Sequence, residues 1–364
     1  MTDTRHNWTK DEILDIYNKP LMTLLYDAAT IHRQQHDPNT VQVSTLLSIK
    51  TGGCPEDCGY CPQAARYHTN VEGNDLMTVQ QVKAQALRAK SSGSSRVCMG
   101  AAWRNVKDGE EFDQVLDMVR TINKLDMEVC CTLGMITENQ AHRLAEAGLY
   151  AYNHNLDSSE EYYKEVISTR GYEDRLQTID NVRKTNVTVC SGGIIGMGEA
   201  AEDRAGMLVA LSTLNPQPES VPINALVAVE GTPLEDQTPV SIWDMVRMVA
   251  TTRIVMPETQ VRLSAGRTEM SHEGQAMCFF AGANSIFAGD KLLTTPNPDV
   301  ADDMELFKLL GLNAQKPFIK KMQPVTVEAK DSQFQALGEK PKWTRPEHKI
   351  ERNEEAKQHA KSLK

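Results

Sequence analysis

Apolar residues recur along the chain at two spacings. In residues 11–34, DEILDIYNKPLMTLLYDAATIHRQ, Ile13, Leu14, Ile16, Tyr17, Leu21 and Leu24 fall near helical spacing, and Pro20 is placed to break the run. From about residue 40 the pattern changes to short β-rich segments, each followed by a helix-like stretch such as TVQQVKAQALRAK, TENQAHRLAEAGL or EDRLQTIDNVRKT. Alternation of this kind predicts βαβ units and a parallel sheet. Eight strands are expected, at 41–49, 95–101, 128–133, 150–157, 187–194, 220–228, 260–266 and 285–289. That number and length match an α/β chain of the (β/α)8 TIM-barrel type, with a doubly wound sheet as the alternative. The predicted organisation is an N-terminal helical cap at 1–39, the barrel at 40–320 and a polar, flexible tail at 321–364.

Side chains alternate faces along a strand, so parity sorts each segment into an inward and an outward set. One face collects Ser44 and Ser48; Arg96 and Cys98; Glu128, Cys130 and Thr132; Asn153, Asn155 and Asp157; Thr188 and Cys190; Asn224; and Gln260, Arg262 and Ser264. The other collects Val97, Met99, Val129, Cys131, Leu133, Val187, Val189, Val261 and Leu263, together with Tyr152, His154 and Leu156. The apolar set must face the helices, which leaves acids, amides, arginines and thiols in the interior. Burying so many polar groups unpaired would cost a few kcal/mol each, so they must serve one another or a polar ligand. His154, on the outward face, is expected to be a satisfied core histidine.

Composition narrows the ligand. With 40% apolar and 24% charged residues in 364, the chain can bury a large core. A formal net charge of −10 argues against a nucleic-acid surface and for a small-molecule ligand. The opening MTDTRHNWTKDEILD has acids and no apolar run, so no secretory or transit signal is read there, and no apolar stretch is long enough to cross a membrane. A cytoplasmic location is expected. In such a chain the eight cysteines, at 54, 58, 61, 98, 130, 131, 190 and 278, point to metal ligands or reactive thiols rather than disulfides.

Three of them form a CxxxCxxC loop after the first strand, Lys50-Thr-Gly-Gly-Cys54-Pro-Glu-Asp-Cys58-Gly-Tyr60-Cys61-Pro. Its glycines let the backbone bend around a bound group. Structural zinc needs a fourth close ligand, whereas three cysteines on a four-iron cluster leave one iron open for another ligand. This loop, with an aromatic residue just before its third cysteine, resembles the radical S-adenosylmethionine superfamily. The segment Gly192-Gly-Ile194-Ile-Gly196-Met-Gly-Glu199 is similar to the superfamily's adenine-contacting GxIxGxxE strand. The segments SRVCMGAAW, YNHNLDS, ESVPINALV, VRLSAGR, AMCFFAGANSIF and KLLTTPNP extend the resemblance, over roughly residues 10–315, to the sulfur-inserting, biotin-forming branch of that superfamily. Gly59 stands where a larger residue is common, a minor departure between two ligands.

The resemblance implies sulfur insertion between the unactivated C6 and C9 carbons of dethiobiotin, the last step of biotin formation. Neither carbon is acidic, so hydrogen-atom abstraction replaces acid–base chemistry; in such enzymes S-adenosyl-L-methionine supplies a 5'-deoxyadenosyl radical. By motif position Cys54, Cys58 and Cys61 would hold a 4Fe-4S cluster. Cys98, Cys130, Cys190 and Arg262 would hold a 2Fe-2S cluster that donates the sulfur. From the residues alone, an ion pair of Arg262 with Glu128 or Asp157 is the simpler reading; with the resemblance, Arg96 becomes the charge-pairing arginine. Tyr60, Asn155, Asp157, Arg175, Ile194 and Gly196 are implied contacts of S-adenosylmethionine, with Asn155 and Asp157 on its ribose and Arg175 at its carboxylate. Asn153 and Asn224 would meet the ureido ring of dethiobiotin, and Thr294 and Thr295 its carboxylate. Reduced flavodoxin or ferredoxin and a second copy in a homodimer are the implied partners. Cys131 and Cys278 are expected to pack in apolar layers. Two rival readings stand beside this one: a superfamily member acting on another substrate, and a non-catalytic iron–sulfur or zinc scaffold.

Overall fold

The computed structural model describes residues 4–289 and 291–317; the expected tail at 321–364 lies outside the described residues. Two helices come first, α1 (Lys10–Tyr17) and α2 (Leu21–Gln35), separated at Pro20. Thr9 caps α1 in a reciprocal capping box with Glu12. Strands and helices then alternate: β1 (Thr40–Lys50), α3 (Val79–Ser91), β2 (Arg96–Ala101), α4 (Glu110–Asn123), β3 (Glu128–Thr132), α5 (Glu138–Glu146), β4 (Ala151–Asn153), α6 (Glu160–Val166) and α7 (Tyr172–Arg183). The second half holds β5 (Thr188–Cys190), β6 (Gly193–Ile195), α8 (Ala201–Ser212), β7 (Ser220–Ala225), α9 (Ile242–Val255), β8 (Gln260–Leu263), α10 (His272–Phe280) and β9 (Ser285–Phe287). A short hairpin of β10 (Lys291–Leu292) and β11 (Thr295–Pro296) precedes α11 (Val300–Leu310) and β12 (Asn313–Ala314).

Every barrel strand pairs in parallel with its neighbour, and β9 returns to β1, so the sheet closes. The fold is a (β/α)8 barrel, with the fifth staves β5 and β6 two pieces of one path. That path is interrupted at Ser191–Gly192 because it crosses β7 closely: a Cβ on Gly192 would lie 2.0 Å from the Pro222 carbonyl oxygen. The helices α1 and α2 pack on α8 and α9 of the outer layer. Among the described residues no helix is long and apolar enough to cross a membrane.

The parity reading divides the barrel correctly at most positions. Val97, Met99, Val129, Cys131, Leu133, Tyr152, Leu156, Val187, Val189, Val261 and Leu263 join the large apolar core, while Cys98, Cys130, Ala151, Cys190 and Phe287 form a separate interior cluster. Cys278 is fully buried in the first of these layers. Two expectations need correction. The fourth strand ends at Asn153, so Asn155 and Asp157 lie beyond it: the Leu156 and Asp157 amides both donate to the Gly192 carbonyl, and Asp157 has φ +67°. His154 is buried, but it does not pack outward as a satisfied core histidine: it lines the interior cavity and its Nε2 has no hydrogen-bond partner. Burial, with Arg175 and Arg170 nearby, holds that ring neutral, well below the ordinary histidine pKa.

Candidate functional site

Strand register builds the floor of the interior. Ser44 stands beside Arg96 and Arg96 beside Glu128, and one layer higher Leu46, Cys98, Cys130 and Ala151 stand side by side. Arg96 donates Nε–H to Glu128 at 2.7 Å and a terminal N–H to Glu219 at 2.8 Å. Burial opposes its charge, and Glu219 and Glu128 together outweigh that cost, so its pKa stands above the ordinary value. Because Glu128 serves Arg96 and Asp157 serves Arg175, the simpler ion-pair reading of Arg262 is not what forms. Arg262 donates Nε–H to Ser285 Oγ at 2.8 Å and a terminal N–H to Gln42 Oε1 at 2.8 Å. Its other terminal nitrogen lies 3.8 Å from Cys190 Sγ.

The interior thiols share protons. Cys130 sits between Cys98 and Cys190, and its hydrogen bonds hold the pKa of both below the ordinary thiol value, with the Arg262 and Arg96 charges assisting. The same sharing, with burial, pushes Cys130 up. Cys131, next in sequence but outward, is raised by burial alone in the main.

At the C-terminal end of β1 the cysteine loop folds over the barrel mouth. Its carboxylates anchor it: Asp57 accepts from the Ser168 amide at 2.8 Å, the Thr169 amide at 3.1 Å and both hydroxyls. The Gly59 amide donates to the Val166 carbonyl at 2.9 Å. Burial raises all three thiols, Cys58 to about 11 and Cys61 to about 12, so they need a cation to become thiolates. Tyr60 donates to Asp157 at 2.6 Å, and Asp157 also accepts from Arg175, which bonds Tyr163 and the Asn155 carbonyl with its remaining nitrogens.

Both cysteine groups open on one chamber. A cavity of ≈ 270 Å³ is lined by Cys54, Cys58, Cys61, Cys98, Cys130 and Arg262, with Asn153, Asn155, Asp157, Arg175 and Asn224 between them. An adjoining cavity of ≈ 210 Å³ shares Tyr60, Asn155, Asp157 and Asn224 and adds Ile194, Thr294 and Thr295. Cys190 lies under this surface, fully buried, with Asn153 Nδ2 3.3 Å from its sulfur. The Asn155 side-chain oxygen accepts from Asn153 and from the Gly192 amide. Asn224 is held at both ends, donating to the Gly193 carbonyl and accepting from the Ala265 amide. Gly196 is not on the cavity wall; its amide donates to Glu199, which folds back onto the Gly196 and Met197 amides and pairs with Arg204. Among the described residues no three His, Cys, Asp or Glu side chains close around a single metal ion. His68, the histidine nearest the loop in sequence, is exposed and off the cavity wall.

Sequence reading missed several participants. Gln42 shares the parity of Ser44 and could have been found that way. Glu219 and Ser285, at strand starts, and Arg170, on the α6–α7 connection, carry no local signal.

Known proteins share this pattern. Residues 48–210 match the model of the Radical SAM superfamily, and residues 222–313 match the Biotin and Thiamin Synthesis associated domain. Biotin synthase of Flavobacterium johnsoniae is 87% identical over 353 residues, 97% of each chain. Biotin synthase of Nostoc punctiforme is 59% identical over 321 residues, 87% of this chain and 96% of that one. A crystal structure of methylornithine synthase superposes with a TM-score of 0.71 at 17% identity, covering 85% of this chain and 94% of that one, a likeness of fold. With Cys98, Cys130 and Cys190 in the first matched region and Arg262 in the second, one barrel spans both, and the chain belongs to the biotin synthase family, radical S-adenosylmethionine enzymes of the sulfurtransferase class.

Proposed function

We propose that the chain inserts sulfur between C6 and C9 of dethiobiotin, and that its two cysteine groups hold two different clusters. Cys54, Cys58 and Cys61 are assigned to the 4Fe-4S cluster, and Cys98, Cys130, Cys190 and Arg262 to the 2Fe-2S cluster. One observation carries the second assignment: a buried guanidinium aims a terminal nitrogen at a thiol whose proton is already loosened, in a packed cluster of three thiols. The donor set fits such a group, since thiolates are the ligands of iron–sulfur clusters and the floor favours thiolate at Cys98 and Cys190.

When bound, the four-iron cluster and S-adenosylmethionine supply a primary radical that can remove hydrogen from unactivated carbon, and the two-iron cluster supplies sulfur. The residues do the rest. Asp157, held by Tyr60 and Arg175, and Asn155, held by the Gly192 amide, offer fixed acceptors for ribose hydroxyls, while Ile194 gives an apolar wall for adenine. Arg175, already committed to Asp157, would meet the cosubstrate carboxylate only alongside that bond. Gly196 acts at one remove, through the turn that Glu199 fastens. Asn153 and Asn224 stand between the two cysteine groups, where an amide can both donate to and accept from a ureido ring. Thr294 and Thr295 line the outer cavity and suit a carboxylate. The closed barrel keeps the radical's path short and water away from it.

Reduced flavodoxin or ferredoxin as electron donor, a homodimer, a cytoplasmic location and the division into cap, barrel and tail belong to the same reading. The test is anaerobic reconstitution with iron and sulfide, followed by incubation with dethiobiotin, S-adenosylmethionine and a reductant. Biotin and 5'-deoxyadenosine are the expected products; a reconstituted chain that makes neither overturns the proposal. Iron bound without the absorption of a two-iron centre would favour the superfamily member with another substrate.

A further inference from the structure

The proposed function gives no role to Arg170, a partly buried cation at the mouth. It lines the main cavity between Cys58 and Arg175, and its buried Nε has no hydrogen-bond partner. A terminal nitrogen lies 3.9 Å from Cys58 Sγ, the long limit of an N–H···S bond. The guanidinium is placed there by its neighbours in sequence. Ser168 and Thr169 are clamped to Asp57 through two amides and two hydroxyls, and Thr169 also donates to Glu56. Asp57 precedes Cys58 directly, so one clamp fixes both the donor and the sulfur it faces.

We propose that Arg170 is a positioning residue of the four-iron cluster, directing its guanidinium at Cys58 Sγ and so raising the cluster's reduction potential. The inference rests on the assignment of Cys54, Cys58 and Cys61 made above. Taking up one electron adds a negative charge to the cluster and its thiolates, with no bond made or broken. A fixed cation and N–H donor beside a ligand sulfur stabilises that added charge more than the oxidised state, and hydrogen bonds to the sulfurs are among the levers that set such potentials. The cost of holding a guanidinium with an unpartnered Nε is then repaid at the cluster rather than in folding.

The test is a potentiometric titration, followed by electron paramagnetic resonance, of the reconstituted full chain and its Arg170→Gln and Arg170→Lys variants, without S-adenosylmethionine. In Arg170→Gln the midpoint is expected to move negative, with the reduced-to-oxidised ratio at the wild-type midpoint falling about tenfold, or about 59 mV for one electron. Arg170→Lys keeps the charge but not the fork and should shift less, in the same direction. The two-iron centre, followed in the same titration, should keep its midpoint. A wild-type midpoint in Arg170→Gln at full iron content overturns the proposal, even if affinity for S-adenosylmethionine falls, since the residue would then serve the cosubstrate alone. An equal shift of both centres also overturns it, as a general loosening of the barrel. If Arg170→Gln holds no iron, Arg170→Lys decides, and a wild-type midpoint there is fatal. A wild-type chain that takes up no four-iron cluster defeats the assignment of the loop cysteines, and this inference with it.

Discussion

The two cysteine triads of this barrel are built by opposite means. At the mouth, Cys54, Cys58 and Cys61 lie within one loop and are close because they are close in sequence; they belong to no barrel strand, and an isolated bridge from Cys54 to Ala64 together with side-chain clamps such as Asp57 holds the loop. On the floor, Cys98, Cys130 and Cys190 come from three strands, and the register of parallel ladders brings them together. Their electrostatics differ accordingly. The mouth thiols are pushed up by burial, while Cys98 and Cys190 are pulled down by a shared thiol and by Arg262. A loop triad thus waits for a cation to ionise it, whereas in the ladder triad Cys98 and Cys190 are already poised to accept one and Cys130 holds the proton they give up.

The largest effect expected from breaking this contrast is at adjacent residues on β3. Cys130→Ala should abolish the two-iron absorption of the reconstituted chain. Cys131→Ala, one position on but in the outward layer, should leave it whole and cost only on the order of 1 kcal/mol in denaturant unfolding. Equal loss of absorption in both would show that strand alternation does not separate them. The mouth should fail differently. In Asp57→Asn one carboxylate oxygen becomes a donor facing the Ser168 and Thr169 groups, a loss of about 1–3 kcal/mol. Four-iron content should fall under limiting iron while two-iron content holds; a loss confined to the floor would refute the division of labour.

That contrast also explains what was legible from sequence. The loop triad needed only spacing, because local geometry and chain order coincide there. The floor triad was recoverable by parity because β2, β3 and β5 are regular enough for alternation to hold. Parity weakened where strands stop early. Asn155 and Asp157 reach the cavity from a turn beyond β4, so their inward placement follows from the Gly192 contacts rather than from alternation. The glycine motif had a meaning that composition could not give: Glu199 fastens the Gly196 turn, while Ile194 meets the cavity. Glu219, Ser285 and Arg170 were invisible because a single polar residue at a strand end or in a connection has no period, and only the closed barrel shows what it faces.

Ionisation gives a sharper, smaller test. In the metal-free chain Cys190 should be thiolate near neutral pH, with its pKa brought down to about 6 by the Cys130 hydrogen bond and then by Arg262. A depressed pKa contributes stability that is present above the unfolded thiol value and lost as pH falls through the folded value. The raised mouth thiols do the reverse, and their contribution disappears as pH climbs from about 9 toward 11 or 12. Denaturant midpoints of the metal-free chain should therefore rise between about pH 6 and 9 in the wild type and flatten there in Cys190→Ser. An unchanged slope would mean that the floor thiols are not preset.

The smallest expected effect lies at Ser285, which holds no ligand position yet accepts from Arg262 Nε and donates to Gln42 Oε1, the same oxygen that Arg262 meets with a terminal nitrogen. Ser285→Ala removes one corner of that triangle and leaves the guanidinium tied to Gln42 and Ser44. About 1 kcal/mol is at stake, too little to empty the floor of iron. The expected result is full iron content with a shifted two-iron absorption, because the arginine keeps its place but loses its fixed tilt. The four-iron signal, set by a loop that does not touch this triangle, should stay as it was. Were the mouth signal to move instead, the two triads would not be the independent constructions that loop and ladder make them.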